Sequence, residues 1–326
     1  MRVIAIEEHW NLPRLTAAVK ALPEDRADPS TVLDEMGDNL ERLDDLDAVR
    51  ISMMDDQGID MQILSLAPPG AQPLDADEAV ALSRQANDTA ATSVQRHPTR
   101  FRAFSTLPMA DPGAAVTELE RTAGLGFVGT MVYGRTGETP LDDARYDEVF
   151  AAAAALGQPV FIHPQIPSKT VRDSAFTGFD PMTNLGLATF GWGWHLEAAL
   201  AALRLIVRGT FDRHPDLQLV LGHWGELLLF WQDRVDSLTS VAGLQRSVSE
   251  CIRSNVHITN SGMLNPTLLR HALEVTTPDR LLFSTDYPFQ RPTKANIDEL
   301  LATFSSEEDR AAFMGANAET LFGIAY

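Results

Sequence analysis

Four segments of the sequence place histidines and carboxylates at the end of an apolar run. Glu7 and His9 follow the first run, His163 ends the fifth, His223 ends the sixth and Asp286 ends the eighth. Carboxylates and imidazoles that converge in a buried place are unfavourable unless a cation compensates them. Oxygen and nitrogen ligands without a thiolate suit Zn²⁺, Mn²⁺ or Fe²⁺. These residues therefore indicate a site for one divalent metal ion.

The segment HWGELLLFWQDRVD, residues 223–236, follows the sixth apolar run and carries further polar residues. If it begins a helix, His223 and Glu226 are three residues apart and meet on one face. A carboxylate behind an imidazole fixes its tautomer and raises its basicity, as in a general acid or base. Arg234 would lie near the same helical face, or it would pair with a neighbouring aspartate at the surface. The spacing predicts a His–Glu acid–base pair.

The other histidines admit ordinary structural explanations. His97 and His214 each precede a proline in polar surroundings, and His271 lies in a helical pattern, so all three are expected at the surface. His257 lies early in an apolar run and is expected to be a hydrogen-bonded core residue. His195, in an aromatic stretch, either lines a pocket or lies at the surface.

Eight apolar runs, rich in β-branched and aromatic residues, recur along the chain, and most precede a helical pattern. Residues 111–126, 143–157 and 196–209 carry the apolar period of about 3.6 residues, and Asp111 and Pro112 suit the start of the first. Strands alternating with helices favour a parallel sheet, and eight such units close into a barrel. We predict an α/β fold, a (β/α)8 TIM-like barrel. The predicted strands are residues 2–6, 62–66, 101–107, 127–133, 159–163, 217–223, 256–261 and 280–286.

Barrel enzymes carry their active sites at the carboxyl ends of the strands, where the polar residues above are expected to lie. Side chains alternate along a strand, so Glu7 and His9 should share one side. Glu8 should point the other way, into a hydrogen bond or a salt bridge.

Two connections in the predicted barrel are unusually long. Residues 11–60 follow strand one and are acid-rich, and residues 164–195 follow strand five and are rich in glycine and aromatic side chains. Loops of this length tend to be lids or walls of functional sites. We detect no repeat or interdomain linker and predict one domain over residues 1–326, with insertions after strands one and five.

The balance of charge restricts the partners. Lys and Arg number 26 against 45 Asp and Glu, which gives a net charge of −19. That field repels nucleic acid and anionic membrane surfaces. The single cysteine, Cys251, excludes an intramolecular disulfide and fits a reducing compartment. With neither a signal peptide nor a membrane-length apolar run, the chain is expected to be soluble and cytoplasmic.

Four motifs resemble the amidohydrolase superfamily: EEH after strand one, HP after strand five, LGHWGE after strand six and FSTDYPF after strand eight. More narrowly, they are similar to its metal-dependent, non-oxidative decarboxylases, which act on γ-resorcylate (2,6-dihydroxybenzoate), 2,3-dihydroxybenzoate, 5-carboxyvanillate or aminocarboxymuconate semialdehyde. The agreement runs nearly end to end and includes GIDMQILSL (58–66), FDRHPDLQLVLGHWGE (211–226) and NAETLFGI (317–324). Hydrolytic relatives commonly show H-x-H where this chain has Glu7-x-His9.

The resemblance implies a ligand set for one divalent metal ion, Zn²⁺ or Mn²⁺, as cofactor. Its members are Glu7, His9, His163 and Asp286. It also implies that Asp286 protonates the ring carbon bearing the carboxylate, with the pair His223–Glu226 assisting proton transfer. Arg234 matches an arginine that contacts substrate in some members, while Tyr133 stands where many relatives have Asn. The residues expected to contact substrate are Arg234, Tyr133 and Trp194.

The implied activity is decarboxylation of a hydroxybenzoate-type aromatic acid, reversible with CO₂ or bicarbonate. Protonating the ring carbon before CO₂ leaves avoids an unstabilised aryl anion, and a metal ion that binds the substrate oxygens orients the ring. The alternative is a hydrolase or hydratase acting on a lactone, an amide or an unsaturated acid with metal-activated water. A third reading is an inactive metal-binding scaffold. Homo-oligomers are usual in the family, so a homodimer or homotetramer is expected.

Overall fold

The framework of the protein is one sheet of eight parallel strands in sequence order, seen in a computed structural model that describes residues 2–324. The sheet closes on itself, because Ile6 N–H donates to Phe283 O over 3.1 Å and His9 N–H donates to Tyr287 O over 2.7 Å. The predicted (β/α)8 barrel is confirmed. Its strands are β1 (Ile4–Trp10), β2 (Met61–Leu66), β3 (Phe101–Thr106), β4 (Gly129–Tyr133), β5 (Val160–His163), β6 (Leu219–Leu221), β7 (Val256–Thr259) and β8 (Leu281–Leu282).

Helices cover the outside of the barrel. The helix Pro112–Gly124 begins as its sequence predicts, because the Asp111 side chain accepts a hydrogen bond from Ala114 N–H over 3.1 Å and Pro112 occupies the first turn. The α-helices after β1 to β4 are Pro13–Lys20, Asn39–Asp44, Ala48–Gln57, Ala76–Arg96, Pro112–Gly124 and Asp147–Leu156. Those after β5 and β6 are Lys169–Ala175, Pro181–Ala188, Gly193–Val207, Thr210–Arg213, Gln232–Val235, Leu238–Ala242 and Val248–Asn255. Those after β7 and β8 are Pro266–Val275, Lys294–Leu301, Glu307–Ala311 and Asn317–Leu321.

Shorter elements complete the fold. Pro29–Glu35, Ala144–Tyr146 and Pro278–Arg280 are 3₁₀ turns, and Ala312–Ala316 is a π-helical turn. A two-stranded antiparallel ribbon joins Arg135–Thr136 to Thr139–Pro140 beyond β4.

Apolar side chains fill the barrel from the end opposite the predicted site. Ile6, Ile63, Phe104 and Phe161 pack together inside the strands, and Phe322 from the C-terminal region packs with them. A larger apolar cluster lies between the strands and the surrounding helices. Burial on both faces explains why the strands read as continuous apolar runs. The barrel is therefore a rigid base on which polar strand ends are held.

The predicted strand bounds were wrong at three places that matter for the site. Strand β1 does not end before Glu7 but continues to Trp10, with a shift of register against β2 between Ala5 and Glu8. Strands β6 and β8 are shorter than predicted, so His223 and Asp286 lie beyond them. Beyond β8, the aromatic Phe283 and the β-branched Thr285 continue the strand-like composition past the last ladder hydrogen bond, which explains the overestimate there.

Both predicted insertions are present, and both contain regular structure. The first, residues 11–60, holds three helices and a 3₁₀ turn, and the second, residues 164–195, holds two short helices and the start of Gly193–Val207. Within residues 2–324, no helix has the length and apolar content needed to cross a membrane.

Candidate active site

Glu7, His9 and His163, here called the strand cluster, meet at the carboxyl ends of β1 and β5. One ligand atom from each lies within 4.8 Å of the others, and all three side chains are buried. Glu7 Oε1 lies 3.6 Å from His163 Nε2, and the two imidazole rings meet edge to face with centroids 4.9 Å apart. Glu7 and His9 share one side of β1, as the alternation predicts. The structure therefore brings together residues that are more than 150 positions apart in sequence.

The hydrogen bonds of the strand cluster leave lone pairs directed at one another. His163 Nδ1 lies 2.7 Å from the Pro164 carbonyl, so this nitrogen carries the proton and Nε2 keeps a lone pair. His9 Nδ1 contacts Ser65 Oγ at 3.1 Å. Within residues 2–324, neither Glu7 Oε1 nor His9 Nε2 has a hydrogen-bond partner. Buried acceptors without donors are the surroundings that a divalent cation satisfies, so these residues fit the implied metal ion.

Asp286 lies beside the strand cluster, beyond the end of β8. Its Oδ1 is 3.4 Å from His9 Nε2, and its side chain is 15% exposed. Its backbone is left-handed, with φ of 61°, which is strained for a residue with a Cβ atom. The preceding residue, Thr285, fixes it, because Thr285 N–H and Oγ1 donate to Glu8 over 2.8 and 2.6 Å. This left-handed conformation of Asp286 directs its carboxylate toward the strand cluster.

The pKa shifts in and beside the strand cluster indicate that its side chains carry no positive charge of their own. Burial raises the pKa of Glu7 to about 8 and that of Asp286 to about 7, although His223 opposes both shifts. Burial also lowers the pKa of His9 to about 3 and that of His163 well below its usual value, so both imidazoles stay neutral. A bound cation would stabilise this arrangement, because the neutral imidazoles offer lone pairs and the buried carboxylates gain an opposite charge.

His195, His223 and Glu226, here called the loop cluster, have the same composition but are joined by hydrogen bonds. Glu226 Oε1 lies 2.7 Å from His223 Nδ1, and Oε2 lies 2.8 Å from His195 Nδ1. Burial opposes the Glu226 anion, but the two imidazoles outweigh it and lower its pKa to about 2. Burial likewise opposes the His223 cation, but carboxylates, with Glu226 foremost, raise the pKa of His223 to about 10. This cluster holds protons.

The backbone that carries His223 and Glu226 is not the predicted helix. Residues 223–227 form a left-handed turn, with φ of 48°, 54°, 84°, 53° and 72° in order. Such φ values are unfavourable by about 1–2 kcal/mol for each residue with a Cβ atom, so neighbouring contacts must hold the turn. Trp224 provides one, since its Nε1–H donates to Met263 O over 2.9 Å and its ring stacks on Phe313. The His–Glu contact was predicted, but the helical reason for it was wrong.

Ser261 connects the two clusters. Its Oγ donates to Glu7 Oε2 and accepts from His223 N–H over 2.8 Å. Gly222 makes this approach possible, because a Cβ atom there would lie 2.6 Å from Ser261 Oγ and 3.3 Å from Glu226 Oε1. The Glu7 carboxylate and the left-handed turn of residues 223–227 are thus fixed by one hydroxyl group.

Two of the three expected substrate contacts lie next to His163, and one does not. The rings of Tyr133 and Trp194 have centroids 5.7 and 6.3 Å from that of His163. Trp194 Nε1 is buried without a hydrogen-bond partner in the described chain. Arg234 lies on the helix Gln232–Val235 with an exposed side chain. The proposed common helical face of Arg234 and His223 was wrong, because the left-handed turn separates them, and within residues 2–324 no aspartate pairs with Arg234 either.

Sequence reasoning missed several residues that support the site. Arg50 is fully buried, and its guanidinium donates to the His9 carbonyl and to Gln62 Oε1. Gln62 in turn donates to Glu8 over 2.9 Å, so Glu8 is hydrogen-bonded on the side away from the strand cluster, as expected. No spacing in the sequence signals Arg50 or Ser261, because the contacts join segments far apart in the chain. His195 had one signal, its place in the aromatic insertion.

Three of the remaining histidines were expected at the surface, and all three are only partly exposed. His97 and His214 pair with Asp47 and Asp147. His271 Nε2 is buried without a partner among the described residues. His257 is buried, as predicted, and accepts a hydrogen bond from Arg280 Nη1 over 3.1 Å.

The match to known proteins agrees with this geometry. The family model described as amidohydrolase matches residues 9–324 of the chain. The chain belongs to the amidohydrolase family. The resemblance stated from the sequence motifs is confirmed. As in other barrel enzymes of α/β type, this amidohydrolase gathers its polar residues at the carboxyl ends of the strands.

Decarboxylases are among the relatives of this amidohydrolase. It is 36% identical over 337 residues to the γ-resorcylate decarboxylase of Rhizobium radiobacter, and this alignment covers 98% of each chain. It superimposes with a TM-score of 0.90 and 34% identity on 5-carboxyvanillate decarboxylase from Sphingomonas paucimobilis, over 99% of both chains. It also matches dihydroxybenzoic acid decarboxylase from Polaromonas sp. JS666, with a TM-score of 0.84, 32% identity and coverage of 99% and 97%. That structure holds manganese and the inhibitor 2-nitroresorcinol.

Proposed function

We propose that this amidohydrolase is a metal-dependent, non-oxidative decarboxylase of a hydroxybenzoate-type aromatic acid, reversible with CO₂ or bicarbonate. The observation that carries the proposal is similarity along nearly the whole chain to γ-resorcylate decarboxylase, with a buried donor set that fits a cation. The whole chain, residues 1–326, would act as one domain, since its eight strands form one closed sheet.

Glu7, His9, His163 and Asp286 would hold one divalent ion, Mn²⁺ or Zn²⁺. Manganese is supported by its presence in the Polaromonas structure, and the nitrogen and oxygen donors suit either ion. When bound, the ion would supply positive charge for the substrate oxygens and orient the ring. The buried lone pairs of Glu7 and His9 support this assignment, because no donor in the described protein reaches them.

Asp286 would deliver the proton. Its Oδ1 lies 3.4 Å from His9 Nε2, beside the strand cluster where the substrate oxygens would be held. The ring carbon that bears the carboxylate accepts this proton, the bond to the carboxylate breaks, and CO₂ leaves as the ring regains aromaticity. His223, oriented by Glu226, would assist the transfer. Starting from the carboxylate, each turnover consumes one proton.

Tyr133 and Trp194 would hold the aromatic ring of the substrate against His163. Burial raises the pKa of the Tyr133 phenol, so it stays neutral. The unpaired indole N–H of Trp194 is free to donate to a substrate oxygen. A neutral phenol and an indole donor suit an aromatic acid with hydroxyl substituents.

Arg234 would contact substrate through assembly. It lies on a segment that also exposes Phe230 and Trp231, at 74% and 55%. Exposed aromatic side chains of this kind mark protein interfaces. We propose that this segment packs against a second copy in a homodimer or homotetramer, where Arg234 contacts the substrate. Analytical ultracentrifugation tests the assembly. The KM of Arg234→Ala tests the contact and is expected to rise about tenfold for the loss of one charged hydrogen bond.

The buried free thiol of Cys251 is consistent with a cytoplasmic enzyme.

Activity assays separate this function from the alternatives. The metal-free protein is loaded with Mn²⁺ or Zn²⁺ and offered a panel of hydroxybenzoates, aryl lactones and aryl amides. We expect CO₂ release from at least one ortho-hydroxybenzoate and incorporation of solvent deuterium at the carbon that lost CO₂. Hydrolysis without CO₂ release would reject the proposal in favour of a hydrolase. Tight metal binding with neither reaction would reject it in favour of a scaffold.

A further inference from the structure

His195 has no part in the proposed reaction, yet it makes two polar contacts inside the loop cluster. It lies in the first turn of the helix Gly193–Val207, where the aromatic insertion ends. Its Nδ1 lies 2.8 Å from Glu226 Oε2, and its Nε2 lies 3.0 Å from the Phe190 carbonyl. Its side chain is 17% exposed, whereas that of Glu226 is fully buried. His195 is thus the outer neighbour of a buried catalytic carboxylate.

The two contacts show what His195 faces on each side of its ring. The Phe190 carbonyl oxygen can only accept a hydrogen bond. The carboxylate of Glu226, whose pKa is lowered to about 2, likewise only accepts. His195 Nδ1–H is therefore placed to donate to the outer oxygen of Glu226.

The same contacts argue against a second metal ion among these three residues. Both oxygens of Glu226 are already at hydrogen-bond distance from ring nitrogens, at 2.7 and 2.8 Å. The second nitrogen of His195 is occupied by the Phe190 carbonyl. A metal ion here would have to break three hydrogen bonds, whereas the strand cluster offers lone pairs without donors. The loop cluster is a hydrogen-bonded unit.

A donor on the outer oxygen of Glu226 affects His223 in two ways. It fixes the outer carboxylate oxygen, so that the inner oxygen stays in line with His223 Nδ1. It also draws part of the negative charge of Glu226 away from His223, a charge that otherwise makes the His223 imidazolium a poorer acid. The ring centroids of His195 and His223 are only 4.6 Å apart. Charged groups that face this pair are Glu226 between the rings and, by their electrostatic effect on His223, Glu7 and Asp286.

We propose that His195 is a positioning residue that, by donating from Nδ1 to the outer oxygen of Glu226, holds the carboxylate in the orientation on which His223 depends. The inference rests on the proposed function, because it assigns His195 to the proton transfer of that reaction. The aromatic insertion is then part of the machinery, since the turn that includes Phe190 holds the second nitrogen of His195.

A pair of variants separates hydrogen bonding from mere space filling. His195→Leu removes both contacts at similar volume, and His195→Asn places an amide donor near the position of Nδ1. We expect His195→Leu to lower kcat by about 10- to 100-fold with KM within about twofold and metal content unchanged. His195→Asn should recover most of the lost kcat. His97→Asn, which alters a surface imidazole paired with Asp47 at 2.9 Å, is the matched control and should leave kcat unchanged.

A measurement that needs no turnover tests the hydrogen bond directly. In protein carrying ¹⁵N-labelled histidine and bound metal, the His195 nitrogens are assigned by their loss in His195→Asn, and Nδ1 should show the shift of a nitrogen that carries a hydrogen. An Nδ1 without a hydrogen would overturn the proposal, and so would a wild-type kcat in His195→Leu or an equal loss in both variants. If the wild type releases CO₂ from no acid, the proposed function fails, while the Nδ1 shift still decides whether His195 donates to Glu226.

Discussion

The strand cluster and the loop cluster each contain one glutamate and two histidines, yet they are suited to opposite tasks. In the strand cluster, Glu7 Oε1 and His9 Nε2 have no donor within the described chain. In the loop cluster, each oxygen of Glu226 accepts a hydrogen bond from an imidazole. Residue types alone do not distinguish a metal site from a proton-holding site. The number of hydrogens directed at each lone pair does.

The backbone explains part of this difference. In the strand cluster, β1 and β5 project side chains from fixed positions of a closed barrel, and the second nitrogens of His9 and His163 contact Ser65 and the Pro164 carbonyl. In the loop cluster, the left-handed turn of residues 223–227 folds Glu226 back under His223. The β-ladder keeps the metal-binding atoms apart and leaves space for a cation. The tight turn instead brings an acid and a base into contact.

The largest effect is expected from Glu7→Gln. Replacing the carboxylate of this proposed ligand by a neutral amide should weaken metal binding by more than about 100-fold, beyond the effect of losing a supporting residue, and should abolish turnover. Metal content after dialysis and titration calorimetry measure this. Glu8→Gln is the matched control, because Glu8 is equally buried but contacts Thr285 and Gln62 instead. It should keep the metal and lose about 1–3 kcal/mol of stability. Wild-type metal affinity in Glu7→Gln would remove the distinction between the clusters.

The next effect is expected from Glu226→Gln. The amide oxygen can accept a hydrogen bond from only one imidazole, and the amide N–H₂ group then faces the N–H of the other. We expect kcat to fall by about 100-fold, in the range of a lost acid–base contribution, with metal affinity unchanged. Steady-state kinetics measure the expected fall in kcat, and a metal titration of the same preparation measures the affinity for the ion. Loss of the metal together with activity would mean that the loop cluster also binds the ion.

Periodicity was sufficient to predict the fold. Eight apolar runs separated by helical patterns identified every barrel strand, because strands buried on both faces must be continuously apolar. The ends of β1, β6 and β8 were misplaced, because hydrogen bonding to the neighbouring strand, and not composition, decides where a strand ends. Helix starts with strong local signals, such as Asp111 and Pro112, were correct.

The site was predictable only where chemistry coincides with a strand end. Glu7, His9, His163 and Asp286 stand out because ionisable residues at the end of apolar runs are conspicuous. The left-handed turn was not predictable, because Trp224, Glu226 and Leu227 are residue types that disfavour positive φ, and distant anchors hold the turn there. Ser261 and Arg50 act across separations of 254 and 41 residues, which no local pattern records.

A smaller effect is expected from Ser261→Ala, which cuts the link between the clusters. The change removes the donor to Glu7 and the acceptor for His223 N–H. We expect metal affinity to fall by about tenfold, the lower end for a residue that supports a ligand, and kcat to fall by a similar factor. Ser240→Ala, an exposed hydroxyl that bonds only Ser237 O, should change neither. If affinity falls while kcat is unchanged, the clusters are structurally joined but act independently.

The smallest effect on the site is expected from His257→Gln, at the opposite end of the barrel. Burial lowers the pKa of His257 to about 3, with Arg280 adding to the shift, so the folded protein keeps this imidazole neutral. Because the unfolded chain protonates it near pH 6.5, its contribution to stability is lost as the pH falls below that value, by up to about 1.4 kcal/mol per pH unit. His257→Gln can still accept from Arg280 but does not titrate. Urea unfolding between pH 4.5 and 7.5 should therefore show a shallower decline for the variant, with metal binding and kcat unchanged. Parallel curves would show that His257 is charged in the fold, and burial alone would then not explain why the imidazoles of the strand cluster are neutral.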